Sequence, residues 1–442
     1  MGLEGIEGSE DEPTSDITVI TTIGDLVLQV THGSETFLYR VAVASLTKSS
    51  PYFKNLLEGE FGEGIQVQRK LKALDTDKIA ELPHDALPMV KIADLGRISK
   101  VNTIRSLVED FLNIVHGHGI SKPPPISNLA NLVIVADRFD CLPSLINADR
   151  RLKLIDRRRT SMFMFKKPVP DSEERIRQKL LIGILLDYSP WVTWASKRLI
   201  IGGSSQWKAG GVGNADADTA LWWDLPRGIE EELVCRRGYL LDMLESLQSH
   251  FIKLYSSTDR QCKLGYDTSP QCDSFQLGEM LRFFQRIDTL RLEGTLAAKD
   301  GINAYSGDIE RIIDALYSCP SYQINQHHSH CGLRTRLEPL LDTLHPLIRH
   351  SIVLDLGICG ECWRLHRSDY AWTFAKQPVV WGRRKLPSLV TLMASVPLGS
   401  ASCLARHERI REFCMAREKD WTDRDQEGER EENGRRFTLR MK

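Results

Sequence analysis

Asp25-Leu26-Val27-Leu28-Gln29-Val30, then Phe37-Leu38-Tyr39-Arg40-Val41, then Leu46-Thr47-Lys48-Ser49-Ser50-Pro51-Tyr52-Phe53-Lys54: these runs within residues 25–54 decide how the chain is read. Leu26, Leu28 and Val30 alternate with Val27 and Gln29, the period of a strand. Gly33-Ser34-Glu35 is a polar turn, and Phe37 to Val43 is a second apolar strand, so the two read as a hairpin. Ser49 or Ser50 then stands as N-cap with Pro51 at the first helical position, where a missing N–H is no loss. The helix so opened presents Tyr52, Phe53, Leu56 and Leu57 on its apolar face.

Working outward, residues 64–86 are polar with poor periodicity and are expected to form an insertion loop. A strand follows at 87–92. An amphipathic helix carries Ile104, Leu107, Val108, Phe111, Leu112 and Val115 on one face. After Pro123-Pro124-Pro125, Leu129, Leu132, Val133, Val135 and Ala136 open another helix that reaches Phe139 and Leu142. Upstream, residues 1–18 read as a disordered acidic tail.

This order of elements resembles the BTB/POZ domain, a protein-interaction module. The resemblance rests on Tyr39-Arg40-Val41, Leu46, Ser50-Pro51-Tyr52-Phe53 and Phe61-Gly62-Glu63, and on Phe111-Leu112-Asn113-Ile114-Val115-His116-Gly117 in the second half. The His-Lys pair usual in that hairpin is replaced by Ala42-Val43. It covers about residues 19–150 and implies homodimerisation, or recruitment of a cullin-type ubiquitin-ligase scaffold or a transcriptional partner. The implied surface is Asp25, Leu26, Leu28, Tyr52 and Leu56; the competing reading places these residues in the core of a monomer, with Asp25 as a turn or edge residue.

Downstream the text turns helical. Residues 151–170 form a linker whose basic run, Arg150-Arg151 to Arg157-Arg158-Arg159, reads first as solvated and second as a nuclear-localisation or phosphate-binding patch. Asp171 is the expected N-cap of the next helix, with Glu174 at capping-box spacing. Residues 202–220 are a Gly/Ser loop, and Pro226 starts a long helix bearing Ile229, Leu233, Leu240, Leu244, Leu247 and Phe251. Further helices are expected at 275–292, 309–316 and 333–348. The helical domain is bounded at 171–404, and 405–442 is a charged helix fading into a disordered run at 423–436. The fold class is therefore α+β: a BTB/POZ-like N-terminal domain, then a mainly α-helical C-terminal domain.

Composition limits the partners. Among 442 residues the formal net charge is −1, so no long-range field attracts nucleic acid or an anionic membrane. The longest apolar runs, 131–136 and 180–186, fall far short of a membrane span, and the start lacks the marks of a signal peptide. The expected setting is intracellular, cytoplasmic or nuclear, where ten cysteines stay reduced.

Those cysteines supply the second candidate. Cys359-Gly360-Glu361-Cys362 is a C-x-x-C, a spacing that lets two thiolates converge on one Zn²⁺. Cys262, Cys272 and the cluster His327-His328-Ser329-His330-Cys331 could supply four ligands to a structural zinc: Cys262, Cys272, His328 or His330, and Cys331. Set against this is a core of reduced cysteines with a solvated histidine loop. The segment Cys272–Gly278 and the His-Cys cluster resemble C-terminal regions of fungal BTB-containing proteins, which implies one helical domain over 172–400 and brings no activity.

No G-x-x-x-x-G-K-[ST], G-x-S-x-G or H-E-x-x-H occurs, and the carboxylates Glu230-Glu231 are read as exposed. The expectation is a non-enzymatic interaction protein. The alternative is a zinc- or thiol-dependent enzyme built around Cys262, His328, Cys331 and Cys359.

Overall fold

The computed structural model describes residues 17–60, 62–74, 76–99, 101, 103–120, 123–155, 171–207, 219–262, 269–290, 305, 307–328, 330–349, 356–382 and 400–421. The expected acidic tail (but for its last two residues), the linker from 156 to 170, most of the Gly/Ser loop, the disordered run at 423–436 and Phe61 lie outside them. The chain is mixed α+β and divides into two compact units. One comprises 1–168, 185–187 and 216–222; the other comprises 169–184, 188–215 and 223–442.

The first unit holds a four-stranded sheet in the order β1 (Thr18–Val19), β3 (Glu35–Val41), β2 (Leu26–His32), β4 (Met89–Ile92). β2 and β3 are antiparallel, with His32 opposite Glu35, so Gly33-Ser34 closes a tight hairpin and Gly33 takes φ +60°. β4 returns parallel to β2, and β1 lies parallel to β3. Because β2 is an inner strand covered on both faces, Leu26, Val27, Leu28 and Val30 are all buried, where alternation alone suggested one apolar face.

The second expected strand ends sooner, at Val41, and Val43–Ser49 is helix α1. Asp25 explains the switch: its Oδ1 accepts the Val43 N–H at 2.8 Å. Helix α2 (Pro51–Glu58) begins as expected, with Ser50 Oγ accepting the Phe53 N–H at 3.0 Å. The same hydroxyl donates to the Phe139 carbonyl at 2.6 Å, and the Phe53 and Phe139 rings stack 5.2 Å apart. The polar stretch expected as a loop is helix α3 (Gly62–Ala73) followed by 3₁₀ turns at Thr76–Glu81 and His84–Ala86. Its Gln, Lys and Arg residues form helix readily, but only Val67 among its apolar side chains is fully buried, so no periodic stripe announces it. Buried Arg40 fixes the turn by donating to the carbonyls of Ile79 and Leu82.

Helices α4 (Ile104–Val115), α5 (Ile126–Arg138) and α6 (Leu142–Leu152) complete the unit. The run expected to continue from α5 breaks at Asp140, whose φ is +51°. His116 closes α4 onto the hairpin: Leu112 O can only accept, so Nδ1 donates to it at 2.8 Å, leaving Nε2 to accept the Ala42 N–H at 3.0 Å.

The second unit is built on the helix Ile229–Ser256, whose expected apolar face is buried. Helices Glu173–Leu185, Ser189–Gly202, Ser269–Arg286, Ile309–Tyr317, Leu333–Arg349 and Ser400–Met415 belong with it, along with short helices and the parallel strand pair Val380–Gly382 and Glu418–Asp420. The helix expected at 275–292 is Ser269–Arg286, the one expected from Pro226 starts at Ile229, and two further expectations change. Ser172 is the N-cap, its Oγ accepting the Arg175 N–H, while Asp171 pairs with Arg175 and Lys179. Glu230 is buried against Arg177, whereas Glu231 is exposed. No helix among the described residues is long and apolar enough to cross a membrane.

Candidate metal centres

Eight cysteine and histidine residues of the C-terminal unit assemble as two separate groups of four. Cys262 follows the long helix, Cys272 sits in the first turn of Ser269–Arg286, His328 ends the 3₁₀ turn Gln326–His328, and Cys331 precedes Leu333–Arg349. Their ligand atoms all lie within 4.8 Å of one another, and all four residues are buried. Cys262 Sγ is 3.5 Å from Cys331 Sγ and 3.5 Å from His328 Nδ1; Cys331 Sγ is 3.7 Å from that nitrogen. A zinc with Zn–S bonds of about 2.3 Å places tetrahedral sulfurs about 3.8 Å apart, so the spacing is close to that of a coordination shell.

The backbone around this group is held firmly. Asp273 accepts the N–H groups of Gln261 and Cys262 at 2.8 and 2.9 Å, tying one ligand segment to the helix that carries Cys272. Tyr255 donates to the Cys331 carbonyl at 2.9 Å, and the Cys331 N–H donates to the His328 carbonyl at 3.1 Å. Burial, reinforced by the neighbouring thiols, pushes the Cys272 and Cys331 thiols upward. A divalent cation would reverse that, displacing their protons.

Of the alternatives left open by the sequence, the structure selects His328. His330 is exposed and outside the group, and Cys359 and Cys362 belong elsewhere. They join Cys403 and His407, again with all ligand atoms within 4.8 Å. Cys359 caps the short helix Gly360–Leu365, Cys362 lies in its first turn, and Cys403 and His407 stand four apart on Ser400–Met415, hence on one face. Cys362 Sγ is 3.8 Å from Cys403 Sγ, and Cys403 Sγ is 3.1 Å from His407 Nε2.

The platform for this second group is a buried ion pair. Arg236 bonds Glu232 at 2.7 Å and donates to the carbonyls of Leu356 and Gly357, while Glu232 accepts the N–H groups of Trp372 and Thr373. The C-x-x-C is therefore bracketed by two backbone segments held from one helix. Gly357 is required for the close approach: a Cβ there would lie 2.4 Å from the Thr193 carbonyl oxygen. Tyr370 completes the frame, its hydroxyl accepting the Cys359 N–H at 2.7 Å. Hydrogen bonds from Cys362 and His407 hold the Cys359 thiol well below its usual range, against the upward push of burial. A cavity of about 460 Å³, lined in part by Tyr370, His407 and Arg411, lies alongside.

Sequence reading missed Cys403 and His407 because the domain boundary was drawn at 404, between them. The signal was present as Cys403-x-x-x-His407, a helical one-face spacing. Of the expected interaction residues, Leu26 and Leu28 are core, 0% and 1% exposed, and offer no surface. Asp25 is spent on the Val43 N–H, while Tyr52 and Leu56 are half-buried. No family model matches the chain, and neither a curated protein nor a solved structure matches it.

Proposed function

We propose that the protein is a non-catalytic interaction protein: a BTB/POZ-type N-terminal unit that self-associates or recruits a protein partner, joined to a helical unit stapled by structural zinc. The observation that supports it most is the arrangement of the N-terminal unit. An antiparallel hairpin, a Ser50-capped helix, a return strand parallel to β2 and the helices Ile104–Val115 and Ile126–Arg138 follow in the order the resemblance implies. With Leu26 and Leu28 in the core, recruitment falls to Tyr52 and Leu56 on α2.

The zinc in this reading sits among Cys262, Cys272, His328 and Cys331. Four buried protein ligands fill a tetrahedral shell and leave no position for substrate, which favours a structural over a catalytic role. A cullin-type scaffold and a transcriptional complex are both candidates for the partner. Sedimentation of the full chain tests the interaction arm: a dimer that Leu56→Glu converts to a folded monomer is expected. A wild-type chain that stays monomeric and captures no scaffold would overturn it. Metal analysis of Cys272→Ser tests the staple, with loss of one zinc expected.

A further inference from the structure

The geometry points to a second, independent zinc site at Cys359, Cys362, Cys403 and His407, whose metal pins the first half of the helix Ser400–Met415 to the C-x-x-C segment. This goes beyond the first zinc and shares no ligand with it. The donor set is three thiols and one imidazole, a combination suited to four-coordinate zinc. Its two arms come from elements about forty residues apart, yet their ligand atoms converge within 4.8 Å.

Burial along the helix shows what the metal contributes. Its second half is anchored by apolar packing: Ile410, Phe413, Cys414 and Met415 are buried, and Phe413 meets the rings of Trp381 and Trp421 at 4.4 and 6.0 Å. Between Cys403 and Arg409 the pattern differs. Ala405, Glu408 and Arg409 are exposed, Leu404 and Arg406 are half-buried, and His407 is the one buried residue of that stretch. No apolar stripe of fully buried side chains docks this half, and Cys403 and His407 are the groups it turns toward the C-x-x-C segment. Cys403 Sγ meets Cys362 Sγ across the gap at 3.8 Å, and thiols and an imidazole hold weakly as neutral groups. Bound to one zinc they become a cross-link, and the thiol protons leave to solvent as the metal–sulfur bonds form.

The test uses the full chain purified without chelator, with zinc counted by atomic emission. Two zinc per chain are expected. The pair Cys403→Ser with His407→Ala should lower the count to one, and Cys272→Ser should remove the other. Hydrogen exchange should accelerate over residues 403–409 in the pair variant while residues 333–349 keep their protection. His407→Cys, which preserves four ligands, should retain both metals and guards against a variant that simply fails to fold. A wild-type count of one that Cys272→Ser abolishes overturns the second site and leaves the first standing. A count of two that the pair variant does not change also overturns it.

Discussion

Glu230 grips Arg177 with two hydrogen bonds of 2.9 Å each, one to Nη1 and one to Nη2, and the Arg177 side chain is wholly buried. Ser204 and Glu173 take up further donors of the same guanidinium. Such a pair joins the helix Glu173–Leu185 to the long helix Ile229–Ser256, and removing the Glu230 charge leaves the buried guanidinium to the Glu173 carboxylate at its edge. Glu230→Gln is expected to destabilise the C-terminal unit by about 3 kcal/mol, read from denaturant midpoints. Replacing both partners with apolar residues of similar volume should recover most of that loss.

Ser50 is the equivalent pin of the N-terminal unit. Its hydroxyl caps α2 and also bonds the Phe139 carbonyl, so Ser50→Ala removes two interactions at a site 1% exposed. A cost of about 2 kcal/mol is expected. Ser50→Asp keeps the cap acceptor but cannot donate to Phe139, so it should restore little. Thermal unfolding followed at the aromatic signals around Phe139 checks both.

His116 makes the N-terminal unit acid-sensitive. Burial holds its ring below the usual histidine value of 6.5, with His118 adding to the depression and the Leu112 carbonyl and Asp25 opposing it. Its Nε2 must stay unprotonated to accept from Ala42. The unfolded chain therefore takes up the proton first, so stability is full above 6.5 and falls as pH drops from there. Urea midpoints at pH 7.5 and pH 5.5 should differ, and His116→Gln should flatten the difference. An unchanged pH slope in that variant would rule the residue out as its source.

The two coordination groups differ in access. All four residues of the first are buried, whereas Cys359 and Cys403 of the second are only half-buried and His407 borders the cavity. A chromophoric chelator is expected to draw zinc in two phases, the fast one abolished in the Cys403→Ser, His407→Ala chain. Loss of the slow phase in that chain, with the fast one intact, would reverse the assignment.

How much of this was legible in the sequence depended on whether the signal was local. Ser50 and Pro51 stand side by side, and the Ile104–Val115 stripe lies within one helix, so both read correctly. Helix α3 did not, because it leans on its neighbours mainly through Val67 and Gly64. The burial of Glu230 was invisible for a different reason: its partner Arg177 is 53 positions away. The choice of His328 over His330 was likewise made by chain path, since spacing allowed either. Cys403 and His407 carried a readable spacing that was divided by a boundary drawn from charge.

The ligands of the first group span residues 262–331 and those of the second 359–407, so neither set is interrupted by the other. A chain emerging from the ribosome therefore presents one complete set before the first thiol of the next appears. With ten cysteines, a nested order would let an early thiol be captured by the wrong partners while the right ones were still unmade. On the proposed zinc reading, a serial order keeps the two ligand sets from competing with each other during synthesis, and each could close, open and close again without the chain being rethreaded.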